Sequence, residues 1–135
     1  MGKPRASSVL YRLIEAGQLA RQALLLPLRA RGLEAGDDAV LFLLRDPVGV
    51  GEAEIGAALG TSPAALGERL GRLAARGLIV RQGNGLVLSA EGERVRETLS
   101  EHWHVVEKTM LEGMGKARRR QVRKALGQVV NRLRA

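Results

Sequence analysis

Residues 52–89 constrain the fold most, because they spell a helix, a tight corner, a second helix and a β-hairpin in that order. Ile55 and Leu59 lie four residues apart, which places both side chains on one face of a short helix. Gly60 follows directly, as expected where a helix ends. The segment therefore predicts a short amphipathic helix that leads into a corner.

The second helix of this stretch has clear signals for its start and for its buried face. Ser62 offers a side-chain oxygen that can cap the helix, and Pro63 suits its first position, where no backbone donor is needed. Leu66, Leu70 and Leu73 follow at steps of four and three, which gives one apolar stripe. We expect this stripe to pack against the preceding helix.

A β-hairpin is predicted after Gly77, which closes the second helix. Residues 78–80 and 86–88 are rich in strand formers, and the Gly-Asn-Gly at 83–85 supplies the positive backbone angles of a tight turn. A helix-turn-helix followed by a small hairpin is a winged helix-turn-helix, which lays its second helix in the DNA major groove. The predicted fold class is mainly α, with a two-stranded wing.

The outward face of the second helix is poor in groups that can read bases. Arg72 can read guanine, and Glu68 can accept a hydrogen bond from cytosine, although phosphates repel its carboxylate. The two lie four residues apart, so the alternative is that they pair with each other. At about 100° per residue, the positions opposite the leucine stripe are Ala64, Ala65, Glu68, Gly71, Arg72 and Ala75.

Positive charge is concentrated in two parts of the chain, whose formal net charge is +8. Residues 61–81 carry four arginines against one acidic residue, which is typical of a nucleic-acid-binding surface; the alternative is a solvated surface with scattered arginines. Residues 116–135 have no acidic residue. Their eight basic residues are Lys116, Arg118, Arg119, Arg120, Arg123, Lys124, Arg132 and Arg134.

Several other classes of function are not expected. With 135 residues and no cysteine, the chain suits one domain without disulfides or thiolate metal sites. No segment is apolar enough for a membrane span or a secretion signal, so we expect a cytoplasmic protein. His102 and His104 point to different sides of a helix, which disfavours a metal site. No catalytic residue, cofactor or enzyme activity is predicted.

The flanking segments predict further helices. Ser7 or Ser8 can cap a first helix, which Pro27 should kink or end. A second helix should begin near Ala35, carry Asp37 and Asp38 in its positive first turn, and end at Asp46-Pro47.

After the hairpin, Ser89 can cap a long helix, and a last helix begins near Lys116. Its apolar seam has steps of four, three and four, which favours a helical dimer interface; packing within one chain is the alternative. The seam residues are Val122, Leu126, Val129 and Leu133.

The order of these elements, together with several short motifs, resembles the MarR family of bacterial transcription regulators over nearly the whole chain. The motifs are Gly32-Leu33 with Val40-Leu41, Glu54-Ile55-Gly56 with Leu59-Gly60, Arg72-Leu73 with Arg76-Gly77-Leu78-Ile79, and Leu88-Ser89 with Gly92.

The resemblance implies a homodimeric regulator of double-stranded DNA, of the repressor type, which in many members responds to a small-molecule effector. Residues 1–135 would then form one MarR-like domain, in which 7–31 and 90–135 supply the dimerisation helices and 35–89 the winged helix-turn-helix. We expect Ser62, Ala64, Ala65, Glu68, Arg69, Arg72, Arg76, Arg81 and Asn84 at the DNA. Leu10 and Leu13 would join the seam residues in the dimer interface. Tyr11, Phe42 and Trp103 are candidates for an effector pocket, with a place in the core as the alternative.

The sequence departs from the family pattern at the surface that would face DNA. The wing tip, residues 82–85, is short and lacks the family's usual Asp-x-Arg pair. Positions of the reading helix that are commonly polar are Pro63, Ala64, Ala65 and Gly67 here, and one that is commonly basic is Glu68. The alternative function is therefore a winged-helix protein-interaction module with weak or no sequence-specific DNA binding.

Overall fold

A computed structural model describes residues 8–44 and 48–134, and within them it contains six helices and one two-stranded antiparallel sheet. This confirms the predicted winged helix-turn-helix, mainly α with a two-stranded wing. In chain order the elements are α1 (Val9–Arg29), α2 (Asp37–Leu43), α3 (Glu52–Leu59), α4 (Pro63–Ala75), β1 (Ile79–Gln82), β2 (Gly85–Leu88), α5 (Ala90–Met110) and α6 (Lys116–Arg134).

The chain forms two compact units whose boundary in the sequence falls within α5. The first unit extends to Trp103 and holds α1 to α4, the wing and most of α5. The second begins at His104 and holds the end of α5 and α6. Within the described ranges, none of the helices combines the length and the apolar character that crossing a bilayer requires.

The predicted start of α1 is confirmed, and its end lies slightly beyond the proline. The Ser8 hydroxyl accepts a hydrogen bond from the Tyr11 N–H at 3.1 Å, so Ser8 is the cap, while Ser7 lies outside the described residues. α1 continues two residues past Pro27, which lacks the N–H that would bond the Ala23 carbonyl oxygen. The Arg31 guanidinium donates to the Pro27 carbonyl oxygen at 3.0 Å, and the chain turns at Gly32 with a φ of 69°.

α2 begins two residues later than predicted. Gly36, with a φ of 96°, precedes the helix, and Asp37 and Asp38 occupy its first turn as expected. The helix ends at Leu43, while the predicted stop at Asp46-Pro47 lies outside the described residues.

The predicted packing of α4 against α3 is confirmed, since the two helices are in contact; Leu59 of α3, which was expected on the same face as Ile55, is half-buried. Ile55 of α3 is buried, and so are Leu66, Leu70 and Leu73 of α4. The Ser62 hydroxyl caps α4 by accepting the Ala65 N–H at 3.3 Å, and Pro63 is the first helical residue. The capped start and the leucine stripe therefore fix which side of α4 faces the core.

The wing is a short hairpin with a two-residue tip. Gln82 pairs with Gly85, which leaves Gly83 and Asn84 at the turn. Gly83 has a φ of 62° and Asn84 does not have a positive φ, which is the arrangement of a type II′ turn. The positive backbone angle predicted for this tip is thus confined to its first residue.

A third extended segment, which the sequence pattern did not predict, lies beside the wing. Val50 and Leu86 exchange backbone hydrogen bonds of 3.0 and 2.9 Å in an antiparallel bridge. The backbones approach closely here, because a Cβ on Gly85 would lie 2.9 Å from the Gly49 carbonyl carbon. The chain entering α3 is therefore attached to the base of the wing.

Ser89 and Gly92 join the wing to the start of α5. The Ser89 hydroxyl accepts the Gly92 N–H at 2.9 Å, as predicted for a cap, and donates to the Gly77 carbonyl oxygen. A Cβ on Gly92 would overlap the Leu78 carbonyl oxygen. Only a glycine at this position lets α5 begin so close to the first residues after α4.

Candidate nucleic-acid interface

Two adjacent aspartates, Asp37 and Asp38, are buried at the start of α2 with 1% and 0% of their surfaces exposed. We refer to them as the acidic pair. The first turn of a helix favours negative charge, but full burial of a carboxylate also requires hydrogen-bonding partners. The two side chains find those partners on different helices.

Asp37 holds α4 against the segment that leads into α2. Its Oδ1 atom accepts from Arg69 Nη1 at 2.6 Å and from Arg72 Nη2 at 3.2 Å. Its Oδ2 atom accepts the Glu34 N–H at 2.8 Å, and the Glu34 carboxylate in turn contacts Arg72 Nη2 at 3.0 Å. Arg69 Nη1 also donates to the Ala35 carbonyl oxygen at 3.1 Å. Both arginines of α4 are thus bonded to the protein itself.

Asp38 connects α2 to α1 and α5. Its Oδ1 atom accepts from Arg21 Nη1 at 2.9 Å, and its Oδ2 atom accepts from Trp103 Nε1 at 2.9 Å. The Trp103 ring lies against Phe42, with 4.4 Å between ring centroids. Through the acidic pair, α2 is therefore bonded to three other helices of the first unit.

The exposed side of α4 carries little that can form a hydrogen bond. Glu68 is exposed there, surrounded by residues with small side chains. Arg72, which helical spacing places on this side, is half-buried and reaches back to Asp37 and Glu34. The alternative pairing of Arg72 with Glu68 does not occur within the described parts of the chain. The exposed residues of this side are Ala64, Ala65, Gly67, Glu68, Gly71 and Ala75.

Two further arginines and the wing tip flank this surface. The guanidinium of Arg76, an exposed residue, donates to the Gly32 carbonyl oxygen. Arg81 on β1 pairs with Glu52 at 2.8 Å, and its side chain stays 61% exposed. Asn84 is exposed at the wing tip, and Ser62 is exposed at the start of α4. Arg76 and Arg81 are therefore the arginines of this set that remain most open to solvent.

Sequence reasoning missed the partners of the acidic pair. It assigned Asp37 and Asp38 a favourable place in a helix N-terminus, which is correct, but it did not connect them to Arg69 or Arg72, more than 30 residues away. A usable signal was present, because two consecutive carboxylates before a densely apolar helix cannot both be buried without cationic partners.

The residues predicted for dimerisation lie on two helices of different units. On α1, Leu10 is 63% exposed and Leu13 is half-buried. None of the side chains of α6, Lys116–Arg134, is buried. In its seam, Leu126 and Leu133 are exposed, whereas Val122 and Val129 are half-buried. Their part in a dimer stays a prediction.

Of the three aromatic residues predicted for an effector pocket, the structure brings Phe42 and Trp103 together. Tyr11 is 48% exposed on α1. Phe42 is half-buried and Trp103 is 37% exposed, and the Trp103 N–H donates to buried Asp38. An effector pocket formed by all three stays a prediction.

Metal chemistry has no evident site in the described residues, where no group of three or more histidine and carboxylate side chains could hold an ion. His102 is half-buried and His104 is exposed on α5.

The fold is that of the MarR-type winged-helix proteins, as the sequence resemblance predicted. Of the solved structures with this fold, a MarR-family transcriptional regulator from Rhodococcus sp. RHA1 superimposes with a TM-score of 0.85 at 22% identity, over 96% of this chain and 98% of that one. CouR from Rhodococcus jostii RHA1, solved with p-coumaroyl-CoA, gives a TM-score of 0.86 at 22% identity, over 96% of each chain. The S. aureus MepR–DNA complex gives 0.83 at 16% identity, over 96% of this chain and 99% of that one.

Comparison by sequence adds nothing to this likeness. No protein-family model matches the chain, and no curated protein matches it. At identities of 22% or less, the structural likeness establishes the shared fold.

We predict that Asp38→Asn lowers the free energy of unfolding by about 2–3 kcal/mol. An amide offers one acceptor oxygen, so either Arg21 or Trp103 would face an NH₂ group inside the protein. Urea denaturation measures the effect. As the control, Glu15→Gln removes the exposed pair with Arg12 and should change stability by less than about 1 kcal/mol. Equal effects of the two substitutions would contradict the role given to Asp38.

Proposed function

We propose that the chain is a homodimeric, DNA-binding transcription regulator of the MarR type that acts as a repressor in the cytoplasm. The observation that carries the proposal is the placement of α4, which buries Leu66, Leu70 and Leu73 and leaves its other side exposed beside a short β-hairpin. A helix exposed in this way can enter a major groove while the hairpin lies along the backbone. MepR, which shares the fold, was solved on DNA.

The charges around α4 support phosphate contacts. The backbone N–H groups at the start of α4 form a positive helix end, which attracts an anion, next to the capping residue Ser62. Arg76 and Arg81 lie at the flanks, and Asn84 is at the wing tip. These contacts would hold α4 at the DNA without reading sequence.

Dimerisation is the second part of the proposal, supported by apolar surface on the terminal helices. α1 exposes Leu10, Ile14, Leu19 and Leu26, and α6 exposes Leu126, Val130 and Leu133. On α6 these side chains follow at steps of four and three and so share one face of the helix, and an exposed apolar face is typical of an interface between subunits. A two-fold dimer would present two copies of α4 to successive half-sites of DNA.

Control by a small molecule is a further part of the proposal. Ile14, Arg21 and Leu25 of α1 line an open groove of about 700 Å³, which also includes Ala35. The groove is mostly apolar with one cationic group, a combination that suits an amphipathic organic ligand. CouR, with the same fold, was solved with p-coumaroyl-CoA.

A protein-interaction module is the alternative function, and one specific observation favours it. The exposed side of α4 is built mainly from alanine and glycine, and the two arginines nearest to it are bonded to Asp37. Such a smooth surface can also receive a protein partner. Binding to duplex DNA separates the two functions.

For the regulator, we predict that affinity for mixed duplex DNA falls steeply as salt rises from about 50 to 200 mM, because bound cations are released from the phosphates. Arg81→Ala should weaken binding to all sequences alike and reduce the slope of log affinity against log salt by about 1. Arg12→Ala, which removes the same charge from another exposed pair, is the control. Electrophoretic shift titrations measure both. No binding even at low salt would favour the protein-interaction module.

For the dimer, we predict a solution mass of twice the 14.5 kDa chain and loss of the dimer in the double variant Leu126→Glu, Leu133→Glu. Two carboxylates in an apolar seam would have to be desolvated on association. Sedimentation equilibrium gives the mass. Gln128→Glu, at an exposed polar position of the same helix, should leave the dimer intact. A wild-type mass of one chain would rule out the dimer.

A further inference from the structure

The two arginines of α4 are committed to contacts within the protein. Asp37 Oδ1 accepts hydrogen bonds from both guanidinium groups, from Arg69 Nη1 at 2.6 Å and from Arg72 Nη2 at 3.2 Å. To read guanine, Arg72 would have to turn two N–H groups towards the base edge. It would then leave Asp37, whose exposed fraction is 1%, with fewer partners for a buried charge. This cost opposes base reading by Arg72.

Glu68, in contrast to these arginines, lies on the side of α4 that faces away from the leucine stripe. At about 100° per residue it lies roughly 160° around α4 from Leu66, whereas Arg69 lies only about 60° from it. Glu68 is exposed, and no ion pair is made by its carboxylate within residues 8–44 and 48–134. It is thus the ionisable side chain of α4 that stands most directly opposite the leucine stripe.

The residues around Glu68 favour a close approach of α4 to a base edge. Ala64, Ala65, Gly67 and Gly71 are exposed and have at most one side-chain carbon, and the glycines meet nothing that a Cβ would strike. Alanine methyl groups can contact the methyl group of thymine, and a carboxylate can accept a hydrogen bond from the N4 amino group of cytosine. The surface therefore matches a site that presents cytosine to Glu68.

The negative charge of Glu68 also affects binding to DNA sequences that offer no hydrogen-bond donor, such as the cytosine N4 amino group, at this position. Phosphates repel a carboxylate, so Glu68 weakens binding wherever its repulsion is not offset by a hydrogen bond. Its effect on the correct site is smaller than its effect on other DNA. A carboxylate at this position hence increases the ratio of specific to non-specific affinity.

We propose that Glu68 is the base-reading side chain of α4, with cytosine as its preferred base, and that Arg69 and Arg72 are positioning residues that fix α4 against α2 through Asp37. The inference rests on the proposed DNA-binding function and assigns the residue that determines its specificity. It moves the reading role from Arg72, the residue that sequence spacing favours, to its neighbour one turn earlier.

The test is selection of bound fragments from random duplex DNA by the wild type, Glu68→Gln, Arg72→Ala and Arg72→Lys. The wild type should enrich a two-fold motif that contains one cytosine read by Glu68 in each half-site. Fragments selected by Glu68→Gln should carry adenine at that position instead, because glutamine bonds adenine N6 and N7. Glu68→Gln should also bind unrelated DNA several-fold more tightly, since the repulsion is removed. The discrimination at the replaced base should be on the order of tenfold.

The arginine variants test the positioning role. Arg72→Ala should enrich the same motif as the wild type with lower affinity for every sequence, and Arg72→Lys should restore much of that affinity because a cation again reaches Asp37. Circular dichroism and thermal melting of each variant verify that the fold is retained. Glu68 is exposed, so Glu68→Gln should melt with the wild type.

Three results would overturn the inference in distinguishable ways. An unchanged motif in Glu68→Gln removes the reading role of Glu68 while leaving the regulator intact. A change at one base in Arg72→Ala assigns base reading to Arg72 instead. A wild type that enriches no sequence contradicts the proposed regulator function, and the inference with it.

Discussion

Burial of two adjacent carboxylates is the constraint on which the arrangement of the first unit depends. Asp37 and Asp38 have at most 1% of their surfaces exposed, and a charge so placed is tolerable only with several donors. Those donors come from α1, α4 and α5, so α2 cannot move relative to these helices without leaving a charge unsatisfied. The apolar contacts of α4 determine which face of the helix is buried. The acidic pair fixes the orientation of α4 more precisely, because the strength of a hydrogen bond depends on its angle as well as its length.

The contacts of Asp37 limit what the side chains of α4 can offer to a partner. Arginine is the residue most used to read guanine, and α4 has two arginines, yet both are bonded to Asp37. The exposed side of α4 instead combines small residues with Glu68. In the proposed regulator, affinity would come from phosphate contacts at the start of α4 and at the wing. Preference for a sequence would come from the close fit of the small residues of α4 to the bases and from one hydrogen-bond acceptor, the Glu68 carboxylate.

The local elements followed from the sequence because their signals are local. Ser62 and Ser89 cap helices with hydroxyl groups three residues from the N–H groups they accept, and the leucines of α4 are spaced to share one face. The antiparallel wing was predictable from two short apolar runs around Gly83 and Asn84. Such features need only neighbours along the chain.

The polar contacts at the candidate interface could not be predicted from the sequence, because a long side chain can reach away from the helix face to which its Cα–Cβ bond points. Arg72 starts on the outward side of α4 and ends at Asp37, a residue 35 positions earlier in the sequence. The bridge between Val50 and Leu86 could not be predicted either, because a pairing of one residue on each side leaves no alternating apolar pattern in the sequence. The long-range polar contacts of the site thus required coordinates, whereas its helices did not.

The most direct measurement of the central claim is a double-mutant cycle between Asp37 and Arg72, with Asp37→Asn, Arg72→Gln and the combined variant compared in urea denaturation. If the buried carboxylate orients α4 through this contact, the double variant should lose less stability than the two single variants together, with a coupling free energy of about 1 kcal/mol or more. Strictly additive losses, with a coupling free energy near zero, would show that the two side chains do not hold α4 to α2.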